Sequence, residues 1–162
     1  MAAHRLDQID LRILNALQEN GRLSNVDLAG RVGLSASACL RRVQGLEQEG
    51  YITGYSAYLD AKRLGLGITA FVQVQVAQDN ESATQEFRER IGAMAEVVEC
   101  YAVTGSFDYL LKVMAADMER FEQFAMKRLL KTPGVRDVRT CFVLDTMKAA
   151  SVLPITEQGG DP

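Results

Sequence analysis

A chain of 162 residues, 48% hydrophobic and 24% charged, has the composition of a globular protein and room for one domain or two small ones. No run approaches the roughly 20 apolar residues that span a bilayer, and the first residues lack the apolar segment of a leader, so a cytoplasmic protein without membrane contact is expected. The net charge is −3, with six arginines against seven acids over residues 1–60, which excludes a broadly basic nucleic-acid binder.

The three cysteines, Cys39, Cys100 and Cys141, are odd in number and widely spaced, so neither a disulfide framework nor a zinc site is indicated. Buried free thiols in a reducing compartment are expected instead.

The first predicted element is a helix over residues 6–20. Asp7 is its N-cap, Asp10 favours the positive end of the helix dipole, and Ile9, Ile13, Leu14 and Leu17 form the inner stripe before Asn20 and Gly21 stop it. A second helix starts at the N-cap Ser24, carries Leu28, Ala29 and Val32 on one stripe, and ends at Gly33. Ser35 caps a third, running to about Glu49. A turn of about four residues between two short helices is the helix-turn-helix spacing.

At about 100° per residue the third helix turns Ala36, Cys39, Val43 and Leu46 inward, with Leu40 at the edge. Its outer face carries Ser37, Ala38, Arg41, Gln44, Gly45 and Gln48, with Arg42 on the flank. Small residues near the N-terminal end let a helix enter the major groove, and Arg and Gln make bidentate contacts to guanine and adenine edges. An ordinary amphipathic helix with a solvated polar face would show the same pattern. With so little net positive charge, attraction to DNA has to come from the cluster Arg31, Arg41 and Arg42, doubled in a dimer.

Residues 51–59 alternate around Gly54 as a short wing hairpin, and residues 60–67, with two glycines and two cations, form a hinge. Beyond it, FVQVQV within residues 68–76 alternates as a half-buried strand. Ser82 caps a helix bearing Ala83, Phe87 and Ile91. Strands follow over residues 97–103 and 108–115, joined by a hairpin-length connection. Asp117 caps a helix bearing Met118, Phe121, Ala125 and Leu129, which Thr132, Pro133 and Gly134 terminate, and residues 135–144 return as a strand.

The order βαββαβ is the ferredoxin-like split unit, an antiparallel sheet with both helices on one face. The fold class is therefore α+β: an N-terminal winged helix-turn-helix domain over residues 1–59 and a ferredoxin-like sandwich over residues 68–162. The uncovered sheet face, with Phe71, Tyr101 and Phe142 available to it, predicts a dimer. Two recognition helices in turn predict a pseudo-palindromic operator on double-stranded DNA, with half-sites roughly 34–36 Å apart.

The chain resembles the Lrp/AsnC, or feast/famine, regulators along nearly its whole length, and within them the leucine-responsive type. The marks are LDQIDLRIL at residues 6–14, GRLSNVDLAGRVGLS at 21–35, CLRRVQGLEQEGYITGY at 39–55, VTGSFDYLLKV at 103–113 and LLKTPGVRDVRTCFVL at 129–144. The resemblance implies a DNA-binding transcriptional regulator with an amino-acid effector, no cofactor, and dimers that assemble to octamers. The residues expected at DNA are Ser24, Asn25, Ser35, Ser37, Ala38, Arg41, Arg42 and Gln44, with Arg41 reading bases and Arg42 holding phosphate.

The effector is expected at the turn Thr104, Gly105, Ser106, Phe107 and Asp108, with Ala102, Met118 and Thr140 contributing across a subunit contact. Gly105 lets a ligand approach backbone N–H groups, and Asp108 offers charge to an ammonium. Without the resemblance, Gly105 reads as a tight hairpin and Asp108 as solvated. Two departures stand out: the third helix begins SASAC where proline is common in the family, and Ser106 replaces a frequent acid.

Enzymatic readings find no candidates. The single histidine, His4, lies in an N-terminus expected to fray. GLGITA at residues 65–70 is followed by a strand, so no helix N-terminus would face a pyrophosphate. The competing reading is an amino-acid-sensing regulatory subunit of a metabolic enzyme, in which the N-terminal helices contact protein and not DNA.

Overall fold

The computed structural model describes residues 6–77, 81–149 and 152–155, the side chains of residues 81–83 excepted. His4 and the side chains of Ser82 and Ala83 lie outside these. The chain divides into two compact units, residues 1–58 with 148–162, and residues 59–147.

The first unit is built from α1 (Gln8–Glu19), α2 (Asn25–Val32) and α3 (Ala36–Gln48). Each starts at the predicted cap. Asp7 accepts from the N–H groups of Ile9 and Asp10, Ser24 from Asp27 and Ser35 from Ala38, so donors orphaned at each helix start are satisfied. Gly33 closes α2 at φ 76°, a conformation costly for any residue with a Cβ. Ile13, Leu28, Val32, Cys39 and Leu46 form the centre of the core. Ala36, expected inward, is exposed, as is Leu40 at the edge; Cys39, Val43 and Leu46 carry α3 onto the core.

From the far end of the chain, Ile155 packs on this same core, and the Leu153 backbone exchanges two hydrogen bonds with the Gln18 carboxamide. The tail therefore belongs to the first unit. Residues 51–59 correct another expectation: they hold no strand and form no wing hairpin. A two-stranded ribbon is marginal alone, and here other contacts take its residues. The N–H groups of Tyr51 and Ile52 cap α3 through the Leu46 carbonyl, and Tyr55 donates to Glu47 at 2.9 Å.

The second unit comprises β1 (Ile68–Val76), α4 (Glu81–Gly92), β2 (Val97–Ala102), β3 (Tyr109–Ala115), α5 (Met118–Phe124) and β4 (Val135–Phe142). All neighbours are antiparallel in the order β2-β3-β1-β4, the predicted ferredoxin-like sheet. Ala70, Val72 and Val74 alternate toward the helices and meet Phe87 and Ile91 of α4 and Phe121 and Phe124 of α5. Between Phe124 and Leu129 the helix takes a single π turn, Ala125–Leu129. That five-residue step keeps Leu129 on the core side after Phe124, where a regular α-turn would rotate it away.

The opposite face of the sheet carries Phe71, Gln73, Tyr101, Leu110, Lys112 and Cys141 by register. Phe142 is a correction: it pairs with Ala70, lies on the helix side and stacks edge-on against Phe121 at 5.0 Å. Met118 of the predicted inner stripe is exposed, at the very start of α5. Cys100, on the edge strand β2, and Cys141, on the uncovered face of β4, are also exposed, and only Cys39 is buried.

Candidate nucleic-acid interface and sensing turn

The outer face of α3 presents Ser37, Arg41 and Gln44 to solvent, with Ala38 half-buried beside them. No polar partner holds Arg41 or Gln44 among the described residues, so both side chains are available to a ligand. Arg41 also lines a groove of about 410 Å³ along the helix, bounded by Ala38, Gly45 and Leu34. Gly45 opens that groove by omitting a side chain.

The other residues assigned to DNA do structural work as well. Ser24 and Ser35 are exposed N-caps. Asn25 donates through Nδ2 to the Ala36 carbonyl at 2.8 Å, tying α2 to the start of α3, while its Oδ1 is buried without a partner. Arg42 donates through Nη1 to Asp7 at 2.7 Å and to Asp10 at 2.8 Å. The guanidinium and the Asp10 N–H together hold the Asp7 carboxyl below its usual range, the N–H bond being the larger influence.

Arg31 pairs with Glu19. Of the three arginines expected to supply positive potential, only Arg41 is therefore without an acid partner among the described residues. Asp7 and Asp10 as partners of Arg42 escaped the sequence reading, although two acids in one helical turn were a visible signal.

In the second unit, the loop between β2 and β3 is tied down at Asp108. Its N–H donates to the Val74 carbonyl, its carbonyl accepts from Val103, and its Oδ2 accepts from the Val76 N–H at 2.9 Å. Gly105 has φ 127°, and the Ser106 carbonyl accepts from Gln75 Nε2 at 2.8 Å. Gln73, Gln75, Asp137 and Arg139 complete a shallow cleft with Ser106 and Phe107, a grouping the FVQVQV alternation could have suggested.

Ala102 pairs with Tyr109 beside this turn. Met118 follows the other end of β3, and Thr140 lies on β4 opposite Val72, on the helix side of the sheet, whereas Asp137 and Arg139 of the same strand line the cleft on the other face. One protomer thus brings the turn and Ala102 together and leaves Met118 and Thr140 apart.

Comparison with known proteins gives these two regions relatives. Residues 6–53 match the winged helix-turn-helix DNA-binding family, and residues 69–153 match the Lrp/AsnC ligand binding domain. The leucine-responsive regulatory protein of Haemophilus influenzae is 42% identical over 148 residues, covering 91% of this chain and 89% of that protein. That of Escherichia coli is 41% identical over 150 residues, covering 93% and 92%.

Among solved structures, a transcriptional regulator of Neisseria meningitidis in complex with L-Met superposes with a TM-score of 0.90 at 41% identity, over 93% of this chain and 97% of that one. An AsnC family regulator of Agrobacterium tumefaciens gives 0.87 at 36% identity, over 92% and 97%. With a helix-turn-helix whose outer face is open, a ferredoxin-like second unit, and relatives alike over nearly their full length, the chain belongs to the Lrp/AsnC family of DNA-binding, amino-acid-sensing transcriptional regulators.

Proposed function

We propose that α3 enters the major groove with Arg41 and Gln44 at base edges, Ser37 and Ala38 against the groove wall, and the caps Ser24 and Ser35, with Asn25, near phosphates. The observation that carries this is the open outer face of α3, where Arg41 has no acid partner among the described residues. In the domain division we favour, residues 1–59 bind DNA, 60–67 link, and 68–162 sense and assemble, with the tail at Leu153 and Ile155 returning to the first unit.

Pairing of two copies through the uncovered sheet face would bury Phe71 and Tyr101 and present two recognition helices to a pseudo-palindromic operator. Further assembly to octamers fits the family. Among the described residues no helix is long and apolar enough to cross a membrane, and a DNA-binding regulator fits the cytoplasm.

The effector is a small amino acid, held by its carboxylate at the N–H groups of the Gly105 turn and by its ammonium near Asp108. A second copy is needed to bring Thr140 and Met118 to that turn. The L-Met carried by the Neisseria meningitidis relative supports the ligand class.

The test is anisotropy of the intact protein on a duplex it selects from a random pool. Arg41→Ala should lower affinity by about 1–3 kcal/mol and relax preference at one base pair. Unchanged affinity and preference would remove Arg41 from the interface. Failure of the wild-type protein to select any sequence would favour the regulatory-subunit reading.

A further inference from the structure

Three charged groups from two helices meet in the first unit. Asp7 caps α1, and Asp10, in the first turn, closes a capping box by accepting from the Asp7 N–H at 3.1 Å. Asp10 is the buried member, with 2% of its side-chain surface exposed. Arg42, from the middle of α3, reaches both carboxylates through one nitrogen. A buried carboxylate without a counter-ion is strongly unfavourable, so this bridge fixes where α3 lies against α1.

The guanidinium is also already engaged. A phosphate approaching Arg42 would meet two carboxylates first and would compete with two bonds shorter than 3 Å. Arg41, one residue earlier, has no such partners.

Resting on the reading that α3 binds DNA, we propose that Arg42 is a positioning residue: it locks the recognition helix to α1 and neutralises the acids there, and it does not hold the DNA backbone. Loss of the lock lets α3 tilt, and contacts that need a fixed geometry suffer before those that need only charge. Base reading by Arg41 is the first kind, and non-specific attraction is the second.

The experiment measures Arg42→Met, Asp10→Asn and Asp7→Asn in the intact protein, at a temperature well below each variant's melting. Two probes are used: the duplex selected by the wild type, and a scrambled duplex of equal length, each over a salt series. In Arg42→Met the ratio of selected to scrambled affinity should fall about tenfold, the worth of one good base contact. Affinity for the scrambled duplex and its salt slope should stay at wild-type values.

Asp10→Asn alone should lower the ratio as Arg42→Met does, and adding it to Arg42→Met should cost little more, because both substitutions break one bridge. Asp7→Asn keeps a competent cap and secures a folded variant; it should lose a smaller part of the ratio. A phosphate contact predicts otherwise: in Arg42→Met both affinities fall together and the slope drops by about 0.9 for each recognition helix bound, while Asp10→Asn leaves both affinities unchanged. That outcome overturns the proposal. A wild-type protein with no preference between the duplexes would instead overturn the DNA reading beneath it.

Discussion

Replacing Asp108 with alanine tests how far the sensing turn is built by its own side chain. The carboxylate accepts from the Val76 N–H at 2.9 Å, at the end of β1, while the backbone of the same residue closes the turn on both sides. Hydrogen bonds to charged groups contribute about 1.5–3 kcal/mol, and alanine leaves a half-buried N–H without that acceptor.

In a unit of this size, 1 kcal/mol moves the melting temperature by roughly 4–8 °C, so a shift of roughly 10 °C is expected. Asparagine retains an acceptor oxygen and should cost less than about 1 kcal/mol, while removing the charge that an ammonium would meet. Asp108→Asn is therefore the cleaner test of the effector site. The assay is urea unfolding at fixed protomer concentration, because assembly shifts apparent stability. Stability of Asp108→Ala within about 0.5 kcal/mol of wild type would refute the clamp.

Leu129→Ala should destabilise the second unit by about 2–5 kcal/mol in the same assay, since the π turn delivers Leu129 to a fully buried position. Ending the chain at residue 151 removes Ile155 from the first core and the Leu153 partner of Gln18; loss of about 1 kcal/mol, seen as an earlier first transition, is expected. Burial, with a contribution from Glu47, raises the Tyr55 hydroxyl to about 12. Because the folded state holds that proton more tightly, its stabilising effect is complete below pH 10 and is lost as pH rises toward 12; absorbance titration should show Tyr55 ionising late, beside Tyr101 whose bond to Glu99 also raises it, and only the Tyr55 step should move earlier in Glu47→Gln.

Where an element depends on its own sequence, the reading succeeded. Asp7, Ser24, Ser35 and Asp117 cap the helices they were expected to cap, because the donors they satisfy lie within three residues. FVQVQV faced its valines inward because period-2 alternation allows only one register.

What was not legible depended on a distant partner. The face chosen by Phe142 is set by its register against Ala70 and by Phe121, far away in the chain. The exposure of Cys100 follows from strand order, which puts β2 at an edge, and that of Cys141 from its register opposite Phe71 on the uncovered face. The wing was lost because Tyr55 found Glu47 and the backbone of Tyr51 and Ile52 found α3. At the interface, periodicity placed Arg42 on the flank of α3 but could not show that Asp7 and Asp10 wait there.

The most direct test of the account is coupling between the two units. Operator affinity of the intact protein is measured by anisotropy in the absence and presence of each of the twenty amino acids, with calorimetry of the same amino acids alongside. At least one should bind and shift operator affinity or assembly by about 5–150-fold, the usual range of coupling between linked sites, and Asp108→Asn should lose the shift while keeping ligand-free operator affinity. Identical operator binding and assembly under all twenty, with no heat of binding, would contradict it.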